Sequence, residues 1–235
     1  MAGMERRPAT DAAGQPEHLL GLAVERAYTV FASNHLGSSM AVHRRDVTPD
    51  DVAALSGPVR SVTVGAVDRW LPHAITTWGT PSDLRALLPR VLELLTAGLL
   101  TTPPEVLFAK LRQAEAAGWP AAERAVLDET LRALWRTTLA RHPSPIGLPA
   151  GRVLIALAEL GDPLQPYLDD WVLLLTGGPG SQPARQHLLD LAHRINTLRG
   201  SGLAVADLFW SPHPEAAQVL DAWMSSPVAS EELRP

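Results

Sequence analysis

The chain of 235 residues contains no cysteine, and lysine is nearly absent from it. Without cysteine there are no disulfides, thiolate zinc sites, iron–sulfur clusters or cysteine nucleophiles. Arginine supplies 19 of the 20 basic residues, and the single lysine is Lys110. The net charge is −5, which argues against nucleic acid as a partner because nucleic-acid binding usually needs a basic surface.

Long apolar runs and catalytic motifs are also missing. No run approaches the roughly 20 apolar residues of a membrane-spanning helix, and the N-terminus lacks the pattern of a secretory signal. These absences predict a cytoplasmic protein with no membrane partner. The chain has no Gly-x-Ser-x-Gly elbow, no His-Glu-x-x-His and no EF-hand loop, so neither a catalytic residue nor a cofactor is predicted.

What the sequence does contain is a helix-start signal, repeated three times. A Thr can cap the first backbone N–H groups, a Pro sits at or near the first helical position, and an acidic residue three positions after the Thr completes a capping box. The three copies are Thr48-Pro49-Asp50-Asp51, Thr80-Pro81-Ser82-Asp83 and Thr102-Pro103-Pro104-Glu105. Each predicts that a helix begins there after a short loop.

Apolar residues recur at helical spacing along most of the chain. They predict a first helix marked by Leu19, Ala23, Ala27, Tyr28 and Phe31. Further helices are predicted at 50–55, 66–78, 83–97, 104–117, 120–141, 150–160, 166–175, 183–199 and 215–224.

Two prolines and one glycine modify this pattern. Pro72 and Pro89 predict kinks in the helices at 66–78 and 83–97, because an interior Pro removes a hydrogen bond. Gly79 is expected to end the former helix in a left-handed conformation.

The predicted helices follow one another through short connections, which makes sequence neighbours antiparallel. We therefore expect an all-α fold with a single helical domain at residues 16–225, arranged as an irregular helical array or a HEAT-like α-solenoid. The polar, aperiodic residues 1–15 and 226–235 predict a disordered leader and a disordered tail.

Two segments resemble a known group of proteins. The first runs from Thr76-Thr77-Trp78-Gly79 to Leu88-Pro89-Arg90-Val91-Leu92-Glu93-Leu94, and the second from Phe108 to Glu123. Together they resemble a group of uncharacterised bacterial helical proteins with a Thr-Thr-Trp-Gly motif followed by a Leu-Pro-Arg-x-Leu-Glu-Leu helix. The resemblance covers about residues 20–140. It implies a helical fold and leaves function open.

Three residues in the predicted helix 183–199 have metal-ligand chemistry. His187, Asp190 and His193 are spaced by three, which places the two histidines roughly 240° apart on an ideal helix. They cannot bind one ion together, although His187 and Asp190 could. The prediction is a solvated helix face without a metal.

Tryptophan is frequent: seven residues, against three Phe and two Tyr. Most are expected to pack between helices, but Trp and Arg also dominate binding hot spots.

The leading hypothesis is a non-enzymatic interaction module whose Arg- and Trp-lined groove binds a partner protein or peptide, with self-association left open. The alternative is a small-molecule-binding or enzymatic helical protein with a pocket near the kinked helices. The candidate binding residues are His73, Trp78, Arg85, Arg90, Lys110 and Trp119, of which Lys110 is expected to be exposed.

Overall fold

We describe a computed structural model over residues 11–36, 40–43, 45–178, 181–209 and 213–234, with only the backbone of 11–14. These residues form α-helices and short 3-10 turns without a strand, which confirms the all-α class. None of the helices found there is long and apolar enough to cross a bilayer. The α-helices of this part of the chain are α1 (Asp11–Val30), α2 (Pro49–Ala53), α3 (Val64–Trp70), α4 (Pro81–Thr96), α5 (Pro104–Gln113), α6 (Ala121–Ala140), α7 (Ala150–Leu160), α8 (Gln165–Leu175), α9 (Gln182–Gly200), α10 (Pro214–Met224) and α11 (Pro227–Glu232).

Two of the three repeated signals start helices as predicted. Thr48 caps α2 and Thr80 caps α4, and in both the acidic side chain accepts a hydrogen bond from the Thr backbone N–H. The capping box predicted from the third signal is wrong, because α5 begins at Pro104 without a side-chain cap. Thr102 instead directs its backbone N–H to the Asp68 carboxylate at 2.8 Å. A tertiary contact has replaced the local cap.

The prolines have different effects. Helix α3 ends at Trp70, and Pro72 lies in a 3-10 turn, Leu71–His73, so the predicted helix 66–78 is broken rather than kinked. Pro89 lies inside α4, whose helical residues run without a break. Gly79 has the predicted left-handed conformation, with φ of 87°.

Helices α1 and α6 form the most extensive packing pair and run antiparallel. The Thr137 hydroxyl donates to the Pro16 carbonyl at 3.0 Å, while Arg26 pairs with Glu129 at 2.5 Å, so residue numbers rise along α1 as they fall along α6. Helix α5 packs on α7, and α1 also contacts α4. Because the closest pairs are not sequence neighbours, the HEAT-like solenoid detail is not confirmed.

The buried apolar side chains form one continuous cluster that extends from Leu20 to Ala229. Most of the described tryptophans lie in it, whereas Trp210 is outside the described residues. The tryptophans with less than 2% exposure are Trp70, Trp78, Trp135 and Trp171. Core packing is therefore the main role of this residue type here.

The chain ends differ from the predicted leader and tail. Residues 1–10 lie outside the described part, and α1 already begins at Asp11, inside the predicted leader. The predicted disordered tail contains α11, which the Ser226 side chain caps and whose Ala229 is fully buried. A single buried alanine and one cap give too weak a periodic signal for this helix to be seen in the sequence.

Candidate functional site

A groove of about 1010 Å³ runs between α1 and α6. Its apolar part includes Pro16, Leu19, Leu22 and Ala133, and the two leucines are each 48% exposed. Leu19 was expected to mark the buried stripe of the first helix. Ala23, Ala27 and Phe31 of the predicted set are buried, but Leu19 and Leu22 lie to one side of this buried face and remain at the surface. The result is an apolar surface that no described part of the chain covers completely.

Charged side chains border this groove. Arg26 pairs with Glu129, and Arg136 pairs with Asp170 at 3.2 Å. Arg132, which is exposed, has no hydrogen bond or ion pair with any described residue. The border therefore offers an unpaired guanidinium beside the apolar surface.

None of the six candidate binding residues predicted from the sequence lines this groove. Arg90 belongs to a network that joins α1 and α4. It pairs with Glu93 at 2.5 Å and donates to the Val62 carbonyl at 2.9 Å. Glu93 also accepts from the Tyr28 hydroxyl at 2.5 Å. Burial and this carboxylate raise the pKa of Tyr28 to about 12.

Arg85 and Trp119 do lie together, at the junction of α4 and α6. The Arg85 guanidinium donates to both carboxylate oxygens of Glu123, at 2.9 and 2.7 Å, and lies 5.6 Å from the Trp119 ring centre. Asn34 also donates to Glu123, at 3.0 Å, and Trp119 packs edge-on against Phe31. The polar groups of this pair are satisfied within the protein, which is typical of a structural contact.

Lys110 is only 7% exposed, so the prediction of an exposed lysine is wrong. Its Nζ donates to the Thr76 hydroxyl at 3.2 Å, and burial lowers its pKa. The neighbouring loop folds around His73, whose carbonyl accepts the backbone N–H groups of Thr76, Thr77 and Trp78 at 3.1–3.2 Å. The structure thus brings Lys110 close to the Thr-Thr-Trp-Gly segment.

Two buried polar atoms of that segment, the Thr77 hydroxyl and the Trp78 indole N–H, have no hydrogen bond with a described residue. Trp78 is 1% exposed, and its carbonyl accepts from the Trp70 indole at 3.2 Å. Its backbone also bridges Val42 and Ala74. These contacts make Trp78 part of the core.

A separate cluster joins the loop after α6 to helix α9. One ring nitrogen each of His142 and His187 and a carboxylate oxygen of Asp190 lie within 4.8 Å of one another. His193, which the sequence placed with His187 and Asp190, is exposed and not part of this group. His142 had no signal in the sequence, because its approach depends on how α6 and α9 pack. Burial lowers the pKa of His187, and the Arg141 carbonyl acts in the opposite direction.

The fold and these sites define an all-α protein with an open apolar groove and a separate histidine–aspartate cluster. No protein family, curated protein or solved structure matches the chain. The resemblance to the Thr-Thr-Trp-Gly group therefore stays an expectation.

Proposed function

We propose that this protein is a non-enzymatic interaction module that binds an amphipathic helix of a partner protein in the α1–α6 groove. The observation that carries the proposal is the pair of half-exposed leucines, Leu19 and Leu22, on the floor of a groove between two long helices. Residues three apart lie on the same side of a helix, so both side chains face one ligand.

The shape of the groove favours a helical ligand. Each of α1 and α6 has 20 residues, which corresponds to about 30 Å of helix length. Amphipathic helices bind such grooves through apolar residues spaced three or four apart.

The border charges favour a ligand with acidic residues beside its apolar face. Arg26, Arg132 and Arg136 line the groove together with Glu25 and Glu129, so the lining is net positive in a chain of net charge −5. Arg132 is the group that lacks an internal ion pair within the described residues. A ligand carboxylate there would gain an ion pair without breaking an existing one.

The first experiment identifies the ligand by placing a photo-crosslinking amino acid at Ala133 and irradiating the protein in cells of its source. We expect one dominant crosslinked partner, attached through an amphipathic segment with acidic flanks. A synthetic peptide of that segment is then titrated against the purified protein by fluorescence anisotropy.

The double variant Leu19→Ser/Leu22→Ser tests the groove itself. Completing the burial of each leucine is worth roughly 1 kcal/mol, so we expect the peptide Kd to rise about 10- to 50-fold. The control is Leu173→Ser, which removes a leucine that is 67% exposed on α8 and should leave the Kd unchanged. Equal affinities of all three proteins would refute the groove as the binding site. If the only crosslink is to a second copy of this chain, the groove mediates self-association and does not bind a different protein.

The alternative of a small-molecule or enzymatic pocket near the kinked helices receives less support. Trp78 and Lys110 are buried, and the groups around Arg85 and Trp119 have partners within the protein. Lys110 favours it, because groups with a shifted pKa are frequent in catalytic sites.

A further inference from the structure

The cluster of His142, His187 and Asp190 has the donor chemistry of a metal site. Its ligand atoms lie within 4.8 Å of one another, and they come from the loop after α6 and from α9. His187 is 2% exposed, and its buried Nδ1 has no hydrogen bond with any described residue. A buried ring nitrogen without a partner is costly unless something binds it.

The other nitrogen of His187 is already oriented as it is in metal sites. Its Nε2 lies 2.8 Å from the Arg141 carbonyl, which can only accept, so this nitrogen carries the proton. In a neutral ring the lone pair is then on Nδ1, so a metal ion bound to His187 would use that nitrogen. Histidine ligands usually donate their second N–H to a carbonyl or carboxylate in this way, and the contact fixes the ring orientation.

The other two ligands can adjust and can be reached from solvent. His142 Nε2 lies 2.7 Å from an Asp190 carboxylate oxygen, and these side chains are 28% and 56% exposed. Ligand atoms around a tetrahedral zinc are about 3.4 Å apart, given metal–ligand distances of about 2.1 Å. Small rotations of the His142 and Asp190 side chains would move their two ligand atoms apart from 2.7 Å to this spacing. The same rotations would bring both atoms closer to His187.

We propose that His142, His187 and Asp190 form a binding site for one divalent transition-metal ion, with Zn²⁺ the best fit. Two imidazoles and a carboxylate suit zinc and its neighbours, whereas Mg²⁺ and Ca²⁺ prefer oxygen ligands only. Three protein ligands leave a fourth position for water or for a donor from another molecule. None of the three residues lines the α1–α6 groove, so this site is independent of the proposed function.

The test is a calorimetric titration of ZnCl₂ into tag-free, full-length protein that has been stripped with a chelator and dialysed. We expect one Zn²⁺ per chain and a rise in Tm of about 5 °C or more at saturating metal. A Co²⁺ titration followed by visible absorption reports the tetrahedral geometry of the same site.

The variants His142→Gln and Asp190→Asn each remove one exposed ligand, and we expect each to raise the Zn²⁺ Kd at least about tenfold. The variant His193→Gln is the matched control, because it removes an exposed histidine from α9 outside the cluster, and it should bind as the wild type does. His187→Gln should also lose binding, but the result depends on correct folding of a buried position. For this reason the two exposed positions carry the test. Absence of saturable binding at one ion per chain, binding that survives both exposed-ligand variants, or loss of binding in His193→Gln overturns the proposal.

Discussion

The burial of Lys110 could not be predicted from the helical periodicity of the sequence. Lys110 lies opposite the apolar stripe of its helix, and on an isolated helix such a position faces solvent. In the fold, α5 packs on α7 and also on the 3-10 turn Leu71–His73, so a second face of the helix is covered. Lys110 is buried there and extends to the Thr76 hydroxyl at 3.2 Å. A helical pattern identifies the face that contacts the core, but not the further contacts that a neighbouring loop makes.

Tyr28 gives a prediction at the residue scale. Tyr28→Phe keeps the ring beneath the Arg60 guanidinium and removes the hydroxyl that donates to Glu93. Because the acceptor is charged and the contact is half-buried, we expect a loss of roughly 1–2 kcal/mol in the free energy of unfolding at pH 7. Urea unfolding of the two proteins measures this difference.

The pH dependence of that difference has a defined sign. The pKa of Tyr28 rises from 10.0 to about 12 in the folded protein. Between these values the unfolded phenol loses its proton while the folded one keeps it, so the contribution of Tyr28 to stability is complete below pH 10 and declines toward pH 12. The difference in the free energy of unfolding between wild type and Tyr28→Phe should therefore decrease as the pH rises above 10. A constant difference up to pH 11 would contradict this assignment.

At the scale of elements, the repeated Thr-Pro signal has two outcomes. Thr80 accepts the Asp83 backbone N–H at 3.3 Å, and the Asp83 carboxylate accepts the Thr80 N–H at 2.8 Å. Thr102 has the same sequence pattern but lies beside Asp68, whose carboxylate takes the backbone N–H of Thr101 and Thr102. A capping box is local and can be read from four residues, whereas the Asp68 contact bridges more than thirty.

The two threonines therefore form a matched pair for mutation. Thr80→Val removes the capping oxygen but keeps the shape, and we expect a loss of about 1 kcal/mol in the free energy of unfolding. Thr102→Val leaves the backbone contacts to Asp68 in place and removes a long hydrogen bond, 3.4 Å, from the Thr102 hydroxyl to the Asp68 carbonyl. It should therefore change stability by less than about 0.5 kcal/mol. Chemical denaturation measures both. Equal losses would mean that Thr102 contributes to the start of α5 despite the absence of a side-chain cap.

For the whole molecule, α6 is the central element, because α1, α7, α8 and α9 all pack on it. Two arginine–glutamate pairs attach other helices to it in different environments. Arg85 on α4 contacts Glu123 with side-chain exposures of 27% and 8%, and Arg26 on α1 contacts Glu129 with exposures of 62% and 40%. The partly buried pair restrains the packing of helices, while the exposed pair is screened by water.

This contrast predicts different costs for the same substitution on one helix. Glu123→Gln leaves the Arg85 charge partly buried without its counter-charge, and we expect a loss of roughly 2–3 kcal/mol in the free energy of unfolding. Glu129→Gln should cost less than about 1 kcal/mol. Thermal and urea unfolding at the same ionic strength measure both values. A larger effect of Glu129→Gln would reverse the order of importance of the two contacts.

The sequence alone determined the all-α class, the approximate positions of most helices and the caps at Thr48 and Thr80. These features depend on residues within one or two turns, where periodicity and backbone hydrogen bonding act directly. The cap predicted at Thr102 did not form, because the Thr102 backbone N–H binds the carboxylate of Asp68, which is distant in the sequence.

The candidate sites were decided only by the tertiary structure. The groove exists because α1 and α6, about a hundred residues apart in the chain, pack antiparallel and leave Leu19 and Leu22 outside their contact. The metal-type cluster exists because the loop after α6 brings His142 to His187 and Asp190 on α9. Such sites depend on side chains that are far apart in sequence, and only the packing of whole helices against one another brings them together.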